Sequence, residues 1–154
     1  MLEQAVTRLR DRGLPAPSVL DVGCGSGVLC VAARLLGAGD ILGLDVDPPA
    51  LDECARNALL NETAFRASLV PVEDLEGSWD VVLANILPAP LVALAPHLVA
   101  RTSPGGLLIL SGVLASDEGF PKRFLEACEG RMAFLEQRTH EGWWAGLLVS
   151  AMRP

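Results

Sequence analysis

The sequence predicts an α/β fold, in which a doubly wound and mostly parallel sheet ends in an antiparallel C-terminal hairpin. Short apolar runs alternate with stretches of helical periodicity over most of the chain, which is typical of parallel strands joined by right-handed helical crossovers. The last two apolar runs follow each other without a helix between them and predict the hairpin. Because 154 residues suffice for one domain that buries roughly 70% of its unfolded surface, we expect residues 1–154 to form a single domain.

The helices are indicated by apolar spacing and by residues that favour helix ends. Leu2, Val6 and Leu9 recur at helical spacing, and Gly13 follows them as a stop signal. Further helices are predicted over residues 27–36, 48–61, 88–100 and 120–128.

Two of these helices carry more detailed expectations. Asp47 suits the N-cap of the third helix, and Pro48 suits its first turn. Pro96 is expected to break or kink the fourth helix. The inward face of the third helix is predicted to consist of Leu51, Cys54, Ala55, Ala58 and Leu59.

The strands are predicted from largely apolar segments of five to nine residues. The fourth is continuously apolar, as expected for a strand that is covered on both faces. Pro104-Gly105-Gly106 predicts a turn before the fifth strand. Ligands of such sheets lie beyond the carboxyl ends of the strands, so the ends of the first, second and fourth strands should surround one cleft. The predicted strands are residues 18–22, 41–45, 67–72, 80–84, 107–113, 132–137 and 144–152.

The turn after the first strand carries three glycines on alternate positions. Gly23, Gly25 and Gly27 follow the G-x-G-x-G spacing, and Val28 stands where the dinucleotide fingerprint G-x-G-x-x-G has its third glycine. Asp21, on the strand just before the turn, suits a cationic ligand better than a phosphate. The turn therefore predicts binding of S-adenosylmethionine, which carries a sulfonium and a zwitterionic end, and disfavours a nicotinamide oxidoreductase.

Two carboxylates near this turn have alternative interpretations. Asp45 lies 22 residues after Gly23, at the end of the second strand, where a carboxylate accepts hydrogen bonds from ribose hydroxyls. It could instead cap the next helix, although we assign that role to Asp47. Asp21 could contact the ligand, or it could accept hydrogen bonds from the amides of the glycine turn.

Asn85 is the candidate catalytic residue, because its amide ends an otherwise apolar strand. Methyl transfer from a sulfonium requires alignment of a neutral lone pair more than it requires acid or base help. An amide oxygen that accepts an N–H from the target amine would aim this lone pair at the methyl group. The alternative is that Asn85 only forms a turn.

Several further features of the sequence argue against a metal site, nucleic-acid binding and a membrane span. His97 and His140 have no partners at metal-ligand spacing, so we predict no metal site. The formal net charge is −7, and the sequence has no cluster of basic residues typical of nucleic-acid binding. No apolar run is long enough to span a membrane. The four cysteines are interpreted as reduced apolar residues of a cytoplasmic protein.

Two arrangements are open for the adjacent Trp143 and Trp144. Either one ring packs under the sheet and the other at its edge, or both form an aromatic wall near the substrate.

Several segments together resemble the PrmA family of class I, Rossmann-like methyltransferases. They read VLDVGCGSGVL at residues 19–29, LGLDVDP at 42–48, VVLANIL at 81–87, LSGVL at 110–114 and EGW at 141–143. The first two are shared by most class I methyltransferases, whereas ANIL and LSGVL are more specific. Members of this family use S-adenosylmethionine to methylate lysine side chains and the N-terminal amine of the large-subunit ribosomal protein numbered eleven.

The resemblance implies the site residues and the partner. By the resemblance, Gly23, Asp45 and Asn85 would contact the cofactor or line its pocket. From these positions together with the residues of the turn and the strand ends, we predict Asn85 as catalytic and cofactor binding by Asp21, Gly23, Cys24, Gly25, Gly27, Asp45, Val46 and Asn85. The partner would be the ribosomal protein, without direct contact to nucleic acid or membrane. The family's N-terminal recognition domain is expected to be absent here. Alternatives are a class I methyltransferase that acts on another protein or a small molecule, and a non-catalytic module that binds S-adenosylmethionine.

Overall fold

The computed structural model describes residues 1–151 and confirms the α/β fold. Met152, the predicted end of the last strand, lies outside the described residues. Among residues 1–151, no helix has the length and apolarity needed to cross a bilayer. The strands are β1 (Val19–Val22), β2 (Ile41–Leu44), β3 (Arg66–Ser68), β4 (Trp79–Asn85), β5 (Thr102–Leu114), β6 (Met132–His140) and β7 (Trp143–Ser150). The helices are α1 (Leu2–Asp11), α2 (Val28–Leu35), α3 (Pro48–Leu60), α4 (Pro88–Arg101) and α5 (Phe120–Ala127).

The seven strands form one sheet in the order β3-β2-β1-β4-β5-β7-β6. Strands β1 to β5 run parallel, whereas β7 pairs antiparallel with both β5 and β6. The predicted C-terminal hairpin is therefore confirmed. The strand order reverses between β1 and β4, and the carboxyl ends of these two strands flank the crevice in which sheets of this type bind ligands.

Helices cover both faces of the sheet because the central strands are buried on both sides. All four residues of β1 are buried. Leu20 and Val22 belong to the core under α4 and α5, whereas Val19 belongs to the core under α1 and α2. This division follows from the two-residue period of a strand, which sends successive side chains to opposite faces. The doubly wound arrangement is thus confirmed.

The third strand is shorter than predicted. It ends at Ser68, and Val72 begins a short 3-10 helix (Val72–Asp74) instead of closing the strand. Pro71 separates the two elements and has no N–H to donate to a sheet ladder. The apolar residues Val70 and Val72 therefore lie in the connection that follows β3 and not in the strand itself.

The predicted turn at Pro104-Gly105-Gly106 lies inside the longer strand β5. Trp79 of β4 pairs with Thr102, whereas Val81 pairs with Leu107, so the residues between Thr102 and Leu107 bulge from the ladder. Gly105 has a φ of +73°, which favours glycine. The turn residues are thus present, but they interrupt the strand instead of preceding it.

The predicted inward face of α3 includes residues that the structure leaves exposed. Cys54 is buried in this helix, but Ala55 is exposed and Leu59 is 79% exposed. The strand that follows α3 is only three residues long and lies at the edge of the sheet, so α3 has little apolar surface to cover.

Pro96 does not break α4, which continues from Pro88 to Arg101. Pro96 is exposed, and its ring leaves the carbonyl of Val92 without a helical donor. Leu91, Ala95 and Leu98 bury the opposite side of the helix in the core. Tertiary packing therefore overrides the low helix propensity of proline at this position.

Replacing Pro96 with alanine should stabilise the protein by about 1 kcal/mol, because it restores a helical donor in a solvent-exposed turn. Urea unfolding would measure this gain. Pro88→Ala is the matched control, since proline is favourable at the first position of a helix. Equal gains from both substitutions would show that the helix-interior position is not the cause.

Candidate functional site

The glycine turn joins β1 to α2 in a backbone conformation that other residues rarely adopt. Gly23, Gly25 and Gly27 have φ values of +74°, +51° and +75°. The N–H groups of Gly23 and Cys24 both donate to the carbonyl of Leu44, at 2.8 Å each. These two hydrogen bonds fix the turn against the end of β2.

Two of the glycines are also required by close contacts. A Cβ on Gly23 would lie 2.4 Å from Cγ2 of Ile86, and one on Gly27 would lie 2.5 Å from Sγ of Cys54. Around Gly25, by contrast, no atom of the described chain comes within 4 Å of a Cβ position. Gly25 therefore faces open space at the tip of the turn.

The carboxylate of Asp45 organises the turn from the neighbouring strand. Its Oδ2 accepts a hydrogen bond from the N–H of Gly25 at 2.8 Å, and its Oδ1 accepts one from the N–H of Asp47 at 3.0 Å. A carboxylate has about four acceptor positions, so each oxygen retains capacity for a further donor. Asp45 therefore both holds the turn and faces the site.

Asp47 occupies the N-cap position of α3, as predicted, but its side chain makes no capping hydrogen bond within residues 1–151. At the start of the helix, the backbone N–H of Asp47 donates instead to the side-chain carboxylate of Asp45, two residues earlier. Such local hydrogen bonds from the backbone to an aspartate are common in turns. The predicted capping role of the Asp47 side chain is thus wrong.

Asp21 is buried, with 1% exposure, and does not accept hydrogen bonds from the glycine turn in the part of the chain described. Its Oδ2 accepts a hydrogen bond from Sγ of Cys30 at 3.4 Å, whereas Oδ1 has no partner within residues 1–151. Burial raises the pKa of Asp21 to about 7; the Cys30 hydrogen bond opposes this rise and the charge of Asp45 adds to it. Asp21 therefore accepts a structural hydrogen bond, but its donor is the thiol of Cys30 and not an amide of the glycine turn as predicted.

Cys24 points away from the site. Its side chain is buried, and its Sγ would lie 2.9 Å from a Cβ on Gly43 of β2. Burial raises the pKa of Cys24 to about 12, so its thiol stays neutral. All four cysteines are free and buried, as the sequence predicts. Any ligand contact from Cys24 would therefore come from its backbone.

Two cavities lie at the carboxyl ends of the strands. The first, which we call the β2-side cavity, has a volume of about 670 Å³. Gly23, Asp45 and Val46 line it from the strand ends, and Val46 is 81% exposed at its rim. The residues that complete its wall are mostly apolar and include Val72, Glu73, Ile86, Leu87 and Leu94.

The second cavity lies beside the C-terminal hairpin and has a volume of about 530 Å³; we call it the hairpin-side cavity. Asn85 lines it, paired in register with Ser111 of β5. Asn85 is exposed, unlike the buried residues before it in β4. Apolar side chains from both ends of the chain complete the wall, among them Met1, Leu2, Leu29 and Trp143.

The predicted single cleft is thus divided into two neighbouring cavities. Asp45 lines one and Asn85 lines the other, and the side chain of Ile86, which packs over Gly23, lines the β2-side cavity. Of the other predicted residues, Gly23 and Val46 line the β2-side cavity, whereas Asp21, Cys24, Gly25 and Gly27 line neither.

Sequence reasoning missed Glu73, which follows β3, and Ser111, which lies in β5 next to Asn85. Glu73 and Ser111 both line cavities, and the rule that ligands meet the carboxyl ends of strands would have pointed to them. The two tryptophans divide as follows: Trp144 is buried against Phe120, with ring centroids 5.3 Å apart, and Trp143 is 53% exposed. The packing of one ring under the sheet is confirmed for Trp144, whereas a wall near the substrate stays a prediction.

Comparison with known proteins gives independent evidence on the family to which the chain belongs. The family model described as ribosomal protein L11 methyltransferase (PrmA) matches residues 3–151. A ribosomal protein L11 methyltransferase of Pelobacter propionicus is 41% identical over 92% of this chain and 47% of its own length. That of Syntrophotalea carbinolica is 52% identical over 68% of this chain and 35% of its own length.

A solved structure shows the same arrangement of elements. The crystal structure of ribosomal protein L11 methylase from Lactobacillus delbrueckii subsp. bulgaricus superposes with a TM-score of 0.82 and 25% identity. The superposition covers 97% of this chain and 77% of that one. The chain spans less than half the length of the two curated relatives described above. On the extent of these matches, the chain belongs to the ribosomal protein L11 methyltransferase (PrmA) family.

Proposed function

We propose that residues 1–154 form a single catalytic domain of an N-methyltransferase that uses S-adenosylmethionine to methylate amines of ribosomal protein L11. The target amines would be lysine side chains and the N-terminal amine. The observation that carries this proposal is the Asp45 carboxylate, which joins the glycine turn to the wall of the β2-side cavity. The names of the chain's relatives support the choice of substrate. Four free cysteines fit a cytoplasmic location, which we also propose.

The β2-side cavity fits the nucleoside part of this cofactor. Its volume of about 670 Å³ falls within the ~300–1,000 Å³ of small-molecule sites. Asp45 retains acceptor capacity for the two ribose hydroxyls, as its two backbone hydrogen bonds leave lone pairs on both oxygens. Val46, Val72 and Leu94 supply an apolar wall for an adenine ring.

The glycine turn fits the amino-acid part of the cofactor. Helix α2 begins at Val28, and its first turn leaves backbone N–H groups without helical acceptors. These groups and the helix dipole favour a carboxylate. Open space at Gly25 admits a ligand to this end of the helix. The unpartnered Oδ1 of Asp21 lies in the adjacent strand and favours a positive charge nearby.

Asn85 would position the target amine. When bound, S-adenosylmethionine supplies a methyl group already activated by the sulfonium. The amide oxygen of Asn85 would accept an N–H from the neutral amine and so orient its lone pair. Asn85 is exposed at the end of β4 and lines the hairpin-side cavity, and the next residue, Ile86, lines the β2-side cavity. This location supports a role between cofactor and substrate.

Asp45→Asn should weaken binding of S-adenosylhomocysteine about 10- to 100-fold. The variant keeps one acceptor oxygen and loses the equivalent of one charge-assisted hydrogen bond, which is worth about 1.5–3 kcal/mol. Isothermal titration calorimetry would measure the affinity. Asp52→Asn is the matched control, because Asp52 is an exposed carboxylate on α3 that lines neither cavity. Unchanged affinity in Asp45→Asn, or an equal loss in both variants, would contradict the proposal.

A further inference from the structure

The turn between β6 and β7 brings two side chains with affinity for cations to the hairpin-side cavity. Glu141 lies in this turn and Trp143 begins β7, and both line the cavity that Asn85 lines. The N–H of Ala115, just after β5, donates to the carbonyl of Gly142 at 2.8 Å. This hydrogen bond fixes the turn to the end of the neighbouring strand.

Trp143 and Trp144 both line the hairpin-side cavity, but strand alternation places their side chains on different faces of the sheet. The two residues are consecutive in β7. Trp144 packs against Phe120 and Phe134 on the side of α5. Trp143 therefore lies on the other face, with about half of its surface exposed, on the side where Leu2 also lines the cavity.

Glu141 is the only carboxylate among the described residues that line this cavity. Its φ of +48° lies in the left-handed region, which a glutamate rarely adopts. Its side chain is 83% exposed, and Nε2 of His140 lies 3.9 Å from Oε1, beyond hydrogen-bond range. Arg138, another charged residue of the wall, is hydrogen-bonded to Glu136. The carboxylate of Glu141 is thus available to a ligand.

We propose that Glu141 and Trp143 bind the ammonium form of the substrate amine at the mouth of the hairpin-side cavity. This inference rests on the proposed function, because it names the part of the site that selects an aliphatic ammonium. The carboxylate of Glu141 attracts the positive charge, and the indole face of Trp143 provides a cation–π contact. Leu2 and Leu29 offer apolar surface to the methylene stem of a lysine.

This role precedes the transfer step. A free lysine side chain has a pKa near ~10.4, so it arrives protonated at neutral pH. Glu141 and Trp143 hold this cation at the surface, whereas Asn85 orients the amine only after it has lost a proton to solvent. The pair is therefore expected to affect the binding of the amine more than the rate of methyl transfer.

Binding of a small lysine probe tests the proposal without requiring catalysis. The probe is Nα-acetyl-lysine methylamide, titrated into the protein saturated with S-adenosylhomocysteine and followed by ¹H–¹⁵N NMR. We expect shifts of the Trp143 indole N–H and of the Glu141 and Gly142 amides. The norleucine analogue, which keeps the stem without the ammonium, should bind more weakly.

Variants assign the effect to the two side chains. Glu141→Gln and Trp143→Leu should each weaken the probe about two- to fivefold, as expected for exposed charge and cation–π contacts. Glu129→Gln is the matched control, because Glu129 also has a positive φ (+52°) and precedes a glycine but lines neither cavity. It should leave the affinity unchanged.

The outcomes separate this inference from the proposed function. Failure of the lysine probe to bind, equal binding of the norleucine analogue, or unchanged affinity in both variants would overturn the inference. Calorimetry with S-adenosylhomocysteine reports on the cofactor site alone, and we expect wild-type affinity in Glu141→Gln and Trp143→Leu. Loss of cofactor binding in the wild-type protein would instead overturn the proposed function.

Discussion

Replacing Gly25 with aspartate should reduce binding of S-adenosylhomocysteine about 100-fold or more. The new carboxylate would stand at the tip of the glycine turn, where we propose that the ligand's own carboxylate lies against α2. Two like charges a few ångströms apart repel by about 4 kcal/mol at a protein surface, where the effective dielectric constant is near 20. Calorimetry would measure the loss.

The fold should tolerate this substitution, which makes it a selective test. Within the described residues, no atom lies within 4 Å of a Cβ on Gly25. Its φ of +51° is also one that aspartate adopts more readily than most residues. Gly23 is less suitable, because a Cβ there would meet Ile86 at 2.4 Å and displace a side chain that lines the β2-side cavity. We therefore expect an almost unchanged melting temperature for Gly25→Asp.

Gly13→Asp provides the matched control for charge and backbone. Gly13 also has a positive φ (+90°) and open space around its Cβ position, but it follows α1 and lines neither cavity. This variant should bind the ligand as the wild type does. Gly25→Asn should give an intermediate loss, because it keeps the bulk without the charge. Wild-type affinity in Gly25→Asp would contradict the proposed placement.

The sheet was predictable from the sequence because its signals are local. The apolar runs of β1 and β4 and the glycine turn between β1 and α2 each determine their own structure. The helix break at Pro96 and the inward position of Leu59 were mispredicted because both depend on neighbouring elements. Pro96 is tolerated since the core holds the other side of α4, and Leu59 is exposed since α3 covers only a short edge strand.

The candidate site was predictable as a set of strand ends, but not as a set of contacts. Asp45 was placed correctly at the glycine turn, because the parallel register of β1 and β2 brings their ends together. The rule of strand ends places Asp45 and Asn85 at the same edge of the sheet, but it does not predict that they line different cavities. The partner of Asp21 likewise depends on how α2 packs on β1, which brings Cys30 within hydrogen-bond range.

Asp21 should make the stability of the ligand-free protein fall as pH rises from about 4 to about 7. Burial raises the pKa of this carboxyl from 3.8 to about 7 in the folded state. Between these two values the folded chain holds a proton that the unfolded chain has released, so the free energy of unfolding decreases with pH. Above pH 7 both states are ionised at Asp21, and its contribution becomes constant.

Asp21→Asn isolates this contribution, because asparagine resembles the protonated carboxyl and does not titrate. Urea unfolding should give similar stabilities for both proteins near pH 4. Near pH 8 the variant should be more stable by up to about 4 kcal/mol, since each pKa unit corresponds to ~1.36 kcal/mol. The difference between the two curves removes the contributions of other carboxyls, such as Asp117, whose pKa the hydrogen bond from Arg123 lowers.

Asp40→Asn serves as the control for loss of a carboxylate at the surface. Asp40 is exposed and bonded to Arg66, so this variant should keep the wild-type dependence on pH. If the difference between wild type and Asp21→Asn stays constant from pH 4 to 8, Asp21 is already ionised throughout that range. The buried carboxylate would then need a cationic or donor partner in solution. The unpartnered Oδ1 is the atom at which that partner would bind.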